Sequence, residues 1–317
     1  MSQRRVFIGI QVLADYRKRL GGRPYAKEEV TEKMKALYNP KLEGERYFYH
    51  QDKGDMPIER IKTTVGGEEH YCGMTHTNQF DPEDWKDEAK DENFVGRVWP
   101  PGTLNHLLGT AHKSGICVGC HEFCERAEKC ICTLQACDCS YENWSNTFEE
   151  WWPEVLAIRA VEGQGYGVFA REEINEPLGE YVGQVISAAR DGALADGEDA
   201  YRMEITIGRR TLKAGDDLPS AFIDGLRTSS ILRFINHSCT PNTKFVEGRC
   251  GMKRRLVWVD KNGRAIKPKE QLTINYGDQW FQGEHKCLCG SDNCQNPPRD
   301  QNRERDTRAA KRQRVRQ

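Results

Sequence analysis

Two stretches concentrate the groups of this chain that could do chemistry. From Arg233 to Asn242 it reads R-F-I-N-H-S-C-T-P-N, and from Leu272 to Asp278 it reads L-T-I-N-Y-G-D. Asn236, His237, Cys239 and Asn242 bring amides, an imidazole and a thiol into seven positions, and Tyr276 adds a phenol. Polar groups this dense on an apolar stretch need dedicated partners, because an unpaired buried donor carries its full desolvation cost. Close behind comes C-L-C-G-S-D-N-C, with thiols at Cys287, Cys289 and Cys294. Three thiolates leave a tetrahedral zinc one ligand short, and Cys239 is the simplest fourth.

Further motifs arrive in a fixed order around these two. G-Q-G-Y-G-V-F-A spans Gly163 to Ala170, G-E-Y-V-G-Q-V-I spans Gly179 to Ile186, E-D-A-Y lies at 198–201 and F-I-D-G at 222–225. Together the motifs resemble the SET-domain protein lysine methyltransferases with a post-SET zinc loop, from about Leu156 to Asn296, a little under half of the chain. The resemblance implies S-adenosylmethionine as methyl donor and a fold in which R-F-I-N-H-S-C threads through a loop as a pseudoknot. It makes Tyr276 the principal catalytic tyrosine, Tyr181 a second channel tyrosine and His237 a third catalytic residue. Gly165, Tyr166 and Gly167 would let the methionine part of the cofactor approach the backbone closely, and Tyr201, Arg233, Asn236 and His237 would complete its pocket.

The reaction so implied has a definite obstacle. A lysine of ordinary pKa, about 10.4, carries no lone pair at neutral pH. A narrow apolar channel ending at a sulfonium cation lowers that value by desolvation and like-charge repulsion. Positioning of the amine in line with the departing sulfur then supplies much of the rate. Two departures from the family pattern stand out. Ile274 occupies the place, two residues before Tyr276, where many relatives carry Phe or Tyr. It has no hydroxyl to retain a water, so room for di- or trimethylation is expected. Ser229-Ser230 stands where relatives often have Gly-Asn, which puts the loop geometry there in question.

Seven more cysteines, Cys117, Cys120, Cys124, Cys130, Cys132, Cys137 and Cys139, precede this region. They resemble the cysteine-rich segment ahead of the SET domain in many histone methyltransferases. Seven thiolates fit two tetrahedral zincs sharing one sulfur, since two separate sites would use eight ligands. The nine-cysteine, three-zinc pattern would need two more. The remaining thiols, Cys72 and Cys250, lie far off in sequence, which argues against borrowing them, and His121 is a weaker alternative ligand. C-x-C and C-x-x-C spacings suit metal ligands in a reducing compartment better than a disulfide scaffold. No secretory leader is read at the start, where Gln11 and Asp15 break the apolar run from Val6, and no stretch is apolar enough to span a membrane.

The elements that must position these groups are mostly short. Leu156 to Val161, Gly167 to Ala170, Glu180 to Ile186, Met203 to Ile207, Leu256 to Val259 and Gln271 to Ile274 read as strands broken by Gly, Asn and Pro. The expected fold is mainly β with some α, a SET-domain pseudoknot flanked by zinc-binding cysteine-rich segments. The expected organisation is an N-terminal region at 1–116, a cysteine-rich segment at 117–154, a SET catalytic domain at 155–277, a zinc loop at 278–296 and a basic tail at 297–317. Pro24 to Tyr38 has helical spacing and Tyr47-Phe48-Tyr49 reads as core strand, but no function is legible in the first region.

Net charge is −1 with 30% charged residues, which argues against a chain that binds nucleic acid over its whole surface. Locally, A-K-R-Q-R-V-R at Ala310 to Arg316 suits a nuclear localisation signal or a weak nucleic-acid contact. Asp191, Asp196, Glu198 and Asp199 suit a basic peptide laid in as an extra strand. The expected activity is methylation of a histone H3 tail lysine, free or in a nucleosome, in the nucleus and on the chromosome, with no membrane partner. Several motifs resemble enzymes acting on the ninth lysine of H3. The alternatives are a SET methyltransferase of a non-histone protein and a catalytically silent chromatin scaffold.

Overall fold

The computed structural model describes residues 37–38, 45–50, 59–65, 68–92, 94, 98–108, 118, 139–192, 201–208, 219–250, 254–277 and 286–295. Cys117, Cys120, Cys124, Cys130, Cys132 and Cys137, most of the 24–38 helix, the acidic insert beyond Asp191, and the basic tail lie outside them. Leu37 and Tyr38, the described end of that helix, are helical.

The N-terminal region is built from short antiparallel pairs. β1 (Tyr49–His50) pairs with β2 (Glu59–Arg60), and β3 (Lys62–Val65) pairs with β4 (Glu68–Tyr71). Phe48 is fully buried and meets Phe234 edge-on at 5.2 Å, so the middle of Tyr47-Phe48-Tyr49 is core, as expected. β5 (Gly73–Met74) then pairs in parallel with β11 (Thr228–Ser229), just ahead of the R-F-I-N-H segment. Thr75 and Gln79 continue that contact through N–H bonds to the carbonyls of Ser229 and Gly183, both 2.9 Å. A short helix α1 (Leu104–Leu108) buries three leucines.

Helix α2 (Tyr141–Val155) fills the end of the expected cysteine-rich segment, where no helix was expected. Ser140 caps it through a bond from Asn143 N–H, and Ser145, Phe148, Glu149, Trp152 and Val155 form its buried face. Its aromatic and small polar residues are indifferent helix formers and Pro153 lies within it, so tertiary packing rather than propensity holds it.

Residues 156–274 form a set of small sheets. β6 (Leu156–Val161) and β7 (Gly165–Ala170) form a hairpin whose turn uses positive φ at Gly163 and Gly165. β8 (Gln184–Ser187), β9 (Arg202–Thr206) and β10 (Ser220–Asp224) form a three-stranded sheet with β10 in the middle, and α3 (Ala188–Gly192) follows β8. β12 (Asn236–His237) pairs in parallel with β15 (Thr273–Ile274), and β13 (Thr243–Cys250) pairs with β14 (Arg254–Lys261). The strand expected over 180–186 is corrected to two pieces. Residues 178–181 bond to β14 through Leu178, Gly179 and Tyr181, and β8 begins only at Gln184. Gly183 makes the crossing, because a Cβ there would lie 2.2 Å from the Asp224 carbonyl oxygen. Ser229 and Ser230 are both buried, their hydroxyls donating to the carbonyls of Val182 and Glu180, so the departure from Gly-Asn is accommodated by two side-chain bonds.

Candidate functional site

Pairing of β12 with β15 is what brings the two chemistry-bearing stretches together. Asn242 locks the pair: its Nδ2 donates to the Glu270 carboxylate at 3.0 Å and the Gln271 carbonyl at 2.8 Å, and its Oδ1 accepts from Thr273 N–H at 2.8 Å. Glu270 is tied in turn to Arg264. That hydrogen bond, opposed by partial burial and helped by Asn242, holds the Glu270 carboxyl down at about 2. Asn236 Nδ2 donates to the Tyr166 carbonyl at 3.1 Å, which joins β12 to the glycine hairpin. Gly167 is required there, since a Cβ would meet Asn236 Nδ2 at 3.2 Å and Gln271 Nε2 at 2.6 Å.

A cleft of about 310 Å³ opens on this junction. Tyr166, Tyr201, Arg233, Asn236, His237 and Tyr276, all expected from the sequence, line it. Gly163, Gln164, Phe234, Lys286, Cys287 and Leu288 line it as well. Of these, Cys287 was expected as a zinc ligand, Gly163, Gln164 and Phe234 fall inside the quoted motifs, and Lys286 and Leu288 flank Cys287. Arg233 is 3% exposed, and its Nε, Nη1 and Nη2 have no hydrogen-bond partner among the described residues. Its guanidinium lies 4.1 Å from the Tyr201 ring centroid. A buried cation with idle donors beside a polar cleft fits the carboxylate of an amino-acid ligand. Asn236, the Tyr166 backbone and the neighbouring rings suit the rest of S-adenosylmethionine.

Tyr276 lines the cleft and is 37% exposed, whereas Tyr181 is buried and is not among the lining residues. The Tyr276 hydroxyl donates to the Ile235 carbonyl and the Tyr181 hydroxyl to the Tyr201 carbonyl, each at 2.7 Å. Burial pushes both phenols well above their ordinary value, so both stay protonated at neutral pH. Phe245, missed in the sequence, meets the Tyr181 ring edge-on at 5.9 Å and remains 36% exposed. Ile274 is buried in the core, with its carbonyl accepting from Ser238 N–H at 3.0 Å. Gly165, with φ of +71°, lies at the turn end of the hairpin rather than among the residues lining the cleft.

Cys239, Cys287, Cys289 and Cys294 converge with all four sulfurs within 4.8 Å of one another. Cys239 and Cys287 sulfurs are 3.9 Å apart, and a tetrahedral zinc with bonds of about 2.3 Å requires about 3.8 Å. Burial pushes the Cys287 thiol up, so its deprotonated form calls for a divalent cation. The donor set fits zinc. The loop also builds the cleft wall, where Gln164 Nε2 donates to the Leu288 carbonyl at 3.0 Å. Of the upstream seven, only Cys139 is among the described residues. It packs, with Tyr141 and Trp144, against a small cluster of Val118 and Cys250. Val118 N–H donates to the Arg249 carbonyl at 2.8 Å, so Cys250, remote in sequence, is near the cysteine-rich segment in the fold. Cys72 is buried in the main core instead.

Comparison with known families matches residues 165–277 to the SET domain. These residues are a SET domain. Histone-lysine N-methyltransferase ASHR3 of Arabidopsis thaliana is 30% identical over 56% of this chain, and the match spans 35% of that protein. A histone-lysine N-methyltransferase of Yarrowia lipolytica described as H3 lysine-4 specific is 34% identical over 45% of this chain and 12% of its own length. The probable histone-lysine N-methyltransferase set-23 of Caenorhabditis briggsae is 27% identical over 75% of this chain and 95% of its own length. The chain therefore spans 35% and 12% of the length of the first two relatives and nearly all of the third. Within the SET domain, the glycine hairpin, the R-F-I-N-H-S-C segment and Tyr276 meet at one cleft.

Proposed function

We propose that the protein is an S-adenosylmethionine-dependent protein-lysine N-methyltransferase acting on a histone H3 tail, free or in a nucleosome, in the nucleus and on the chromosome. The observation that carries this reading is the buried Arg233 guanidinium, without a hydrogen-bond partner among the described residues, in the same cleft as Asn236 and Tyr276. When bound, the cofactor supplies an electrophilic methyl group on a cationic sulfur. The chain's own residues do the rest. Arg233 holds the ligand carboxylate and Asn236 fixes the strand beneath it. Tyr276 and Tyr181, whose hydroxyls donate hydrogen bonds to carbonyls, present oxygen lone pairs that can accept from an incoming amine. Their phenols act by orientation, because burial disfavours the anionic forms a base would need. The apolar walls around Tyr181 and Phe245 favour a neutral lysine over the ammonium.

The H3 preference is supported by the relatives' names and by Asp191 at the start of the acidic insert, although Asp191 is paired with Arg202. Radiolabelled methyl transfer to nucleosomes, free H3 and a peptide array tests the reading, with Tyr276→Phe as control. Transfer to wild-type substrate that the variant loses is expected. Transfer to peptides but never to histones selects a non-histone substrate, and no transfer with no cofactor binding leaves a scaffold. For product degree, Ile274 leaves no hydroxyl to hold a water, so di- and trimethyl-lysine are expected. Only monomethyl product by mass spectrometry, at saturating cofactor, would refute this.

A further inference from the structure

His237 is committed at both ring nitrogens. Tyr276 N–H donates to its Nδ1 at 3.1 Å, and its Nε2 lies 3.4 Å from Cys239 Sγ. A backbone N–H can only donate, so Nδ1 must present a lone pair. The neutral ring then carries its proton on Nε2, aimed at the sulfur. The same sulfur accepts from Gln295 N–H at 3.4 Å, the pattern of a thiolate held by outer hydrogen bonds while it ligates a metal. The imidazole also meets the Tyr276 ring at 5.5 Å, so three contacts set one side chain.

We propose that His237 is a positioning residue: a strut between the zinc thiolate of Cys239 and the backbone of Tyr276, which makes metal occupancy set the place of the catalytic phenol. This role rests on the methyltransferase reading for the meaning of Tyr276 and on the four-cysteine site for the metal. It replaces the expectation that His237 takes part in chemistry, since neither nitrogen is left to take a proton from substrate. Its ring face can still border the cleft, where it contributes shape.

Nuclear magnetic resonance of the zinc-loaded full chain, labelled with nitrogen-15 at its histidines, reads the tautomer directly. His237, assigned by loss of its signal in His237→Gln, is expected as the Nε2–H form, with Nδ1 resonating as an acceptor, and chelation of zinc is expected to abolish that signature. The second measurement is zinc release to a chromogenic chelator. His237→Leu, which keeps bulk but no donor, is expected to release zinc about tenfold faster or more, in line with other outer-shell losses. His237→Gln restores an acceptor oxygen and an N–H and is expected to stay within about threefold of wild type. An Nδ1–H tautomer in the zinc form would overturn the proposal, and so would zinc release unchanged by the leucine. Neither readout uses cofactor or peptide, so methyl transfer can fail while both succeed, and the two ideas are judged separately. The tautomer measurement needs no variant to fold beyond its assignment, so a His237→Leu chain that does not fold still leaves the proposal exposed to refutation.

Discussion

At the scale of single residues, Arg233 is the most consequential side chain in the cleft. Its donors are buried with no hydrogen-bond partner among the described residues. Arg233→Met is therefore expected to weaken cofactor binding about tenfold or more, the scale of a lost charged hydrogen bond, while leaving the ligand-free melting temperature unchanged or raised. Isothermal titration and thermal melting measure the two, and unchanged binding would remove the carboxylate assignment. Tyr276→Phe keeps the ring but removes the hydroxyl proposed to orient the amine. We expect kcat to fall about a hundredfold with cofactor affinity preserved, as for loss of other preorganised polar groups. Steady-state rates alongside direct binding test this, and comparable loss of both would mean the substitution disturbed the pocket itself.

Among the elements, the β12–β15 pair is held by polar side chains more than by length, each strand being two residues long. Glu270 clamps it through Asn242 and Arg264. Its folded value of about 2 lies below the ordinary carboxylate value of about 4.3. The ionised form thus stabilises the fold above about pH 4.3, and that contribution disappears as the pH falls toward about 2. Glu270→Gln should flatten the dependence of the urea midpoint on pH across this window; an unchanged slope would place the acid sensitivity elsewhere. These strands also mark what the sequence could tell. N-H-S-C and I-N-Y-G were legible because Asn, His, Cys and Tyr have few reasons to crowd an apolar stretch. Helix α2 was not, since its aromatic and small residues lack helix propensity and its buried face acquires meaning only from Phe48 and its neighbours. β5 was illegible for another reason: two residues bonding through backbone carry no side-chain period.

For the whole molecule, the cleft is a joint product of three regions. The SET residues supply its floor, the zinc loop supplies Lys286 to Leu288, and residues 73–79 brace the Arg227–Ser229 segment and Gly183 from behind. Removing zinc should therefore lower cofactor affinity as well as stability. A strong chelator is expected to reduce the melting temperature and to abolish cofactor binding in titration, both returning on zinc addition; binding that survives metal loss would show that the loop is dispensable to the cleft. Asn78 extends the brace, donating to Glu180 at 2.9 Å and accepting from Gly183 N–H at 3.0 Å on either side of Tyr181. Residues 73–79 thus brace the site, which their own sequence did not announce.

The parallel pairing of β5 with β11 has a temporal side. A ribosome releases Gly73 and Met74 long before Thr228 and Ser229 exist, so an N-terminal edge waits unpaired while the intervening chain is made. Contacts this far apart in sequence fold late and slowly. During that interval this edge of the newborn protein is open backbone, and the segment that braces the cleft is made long before the residues it braces.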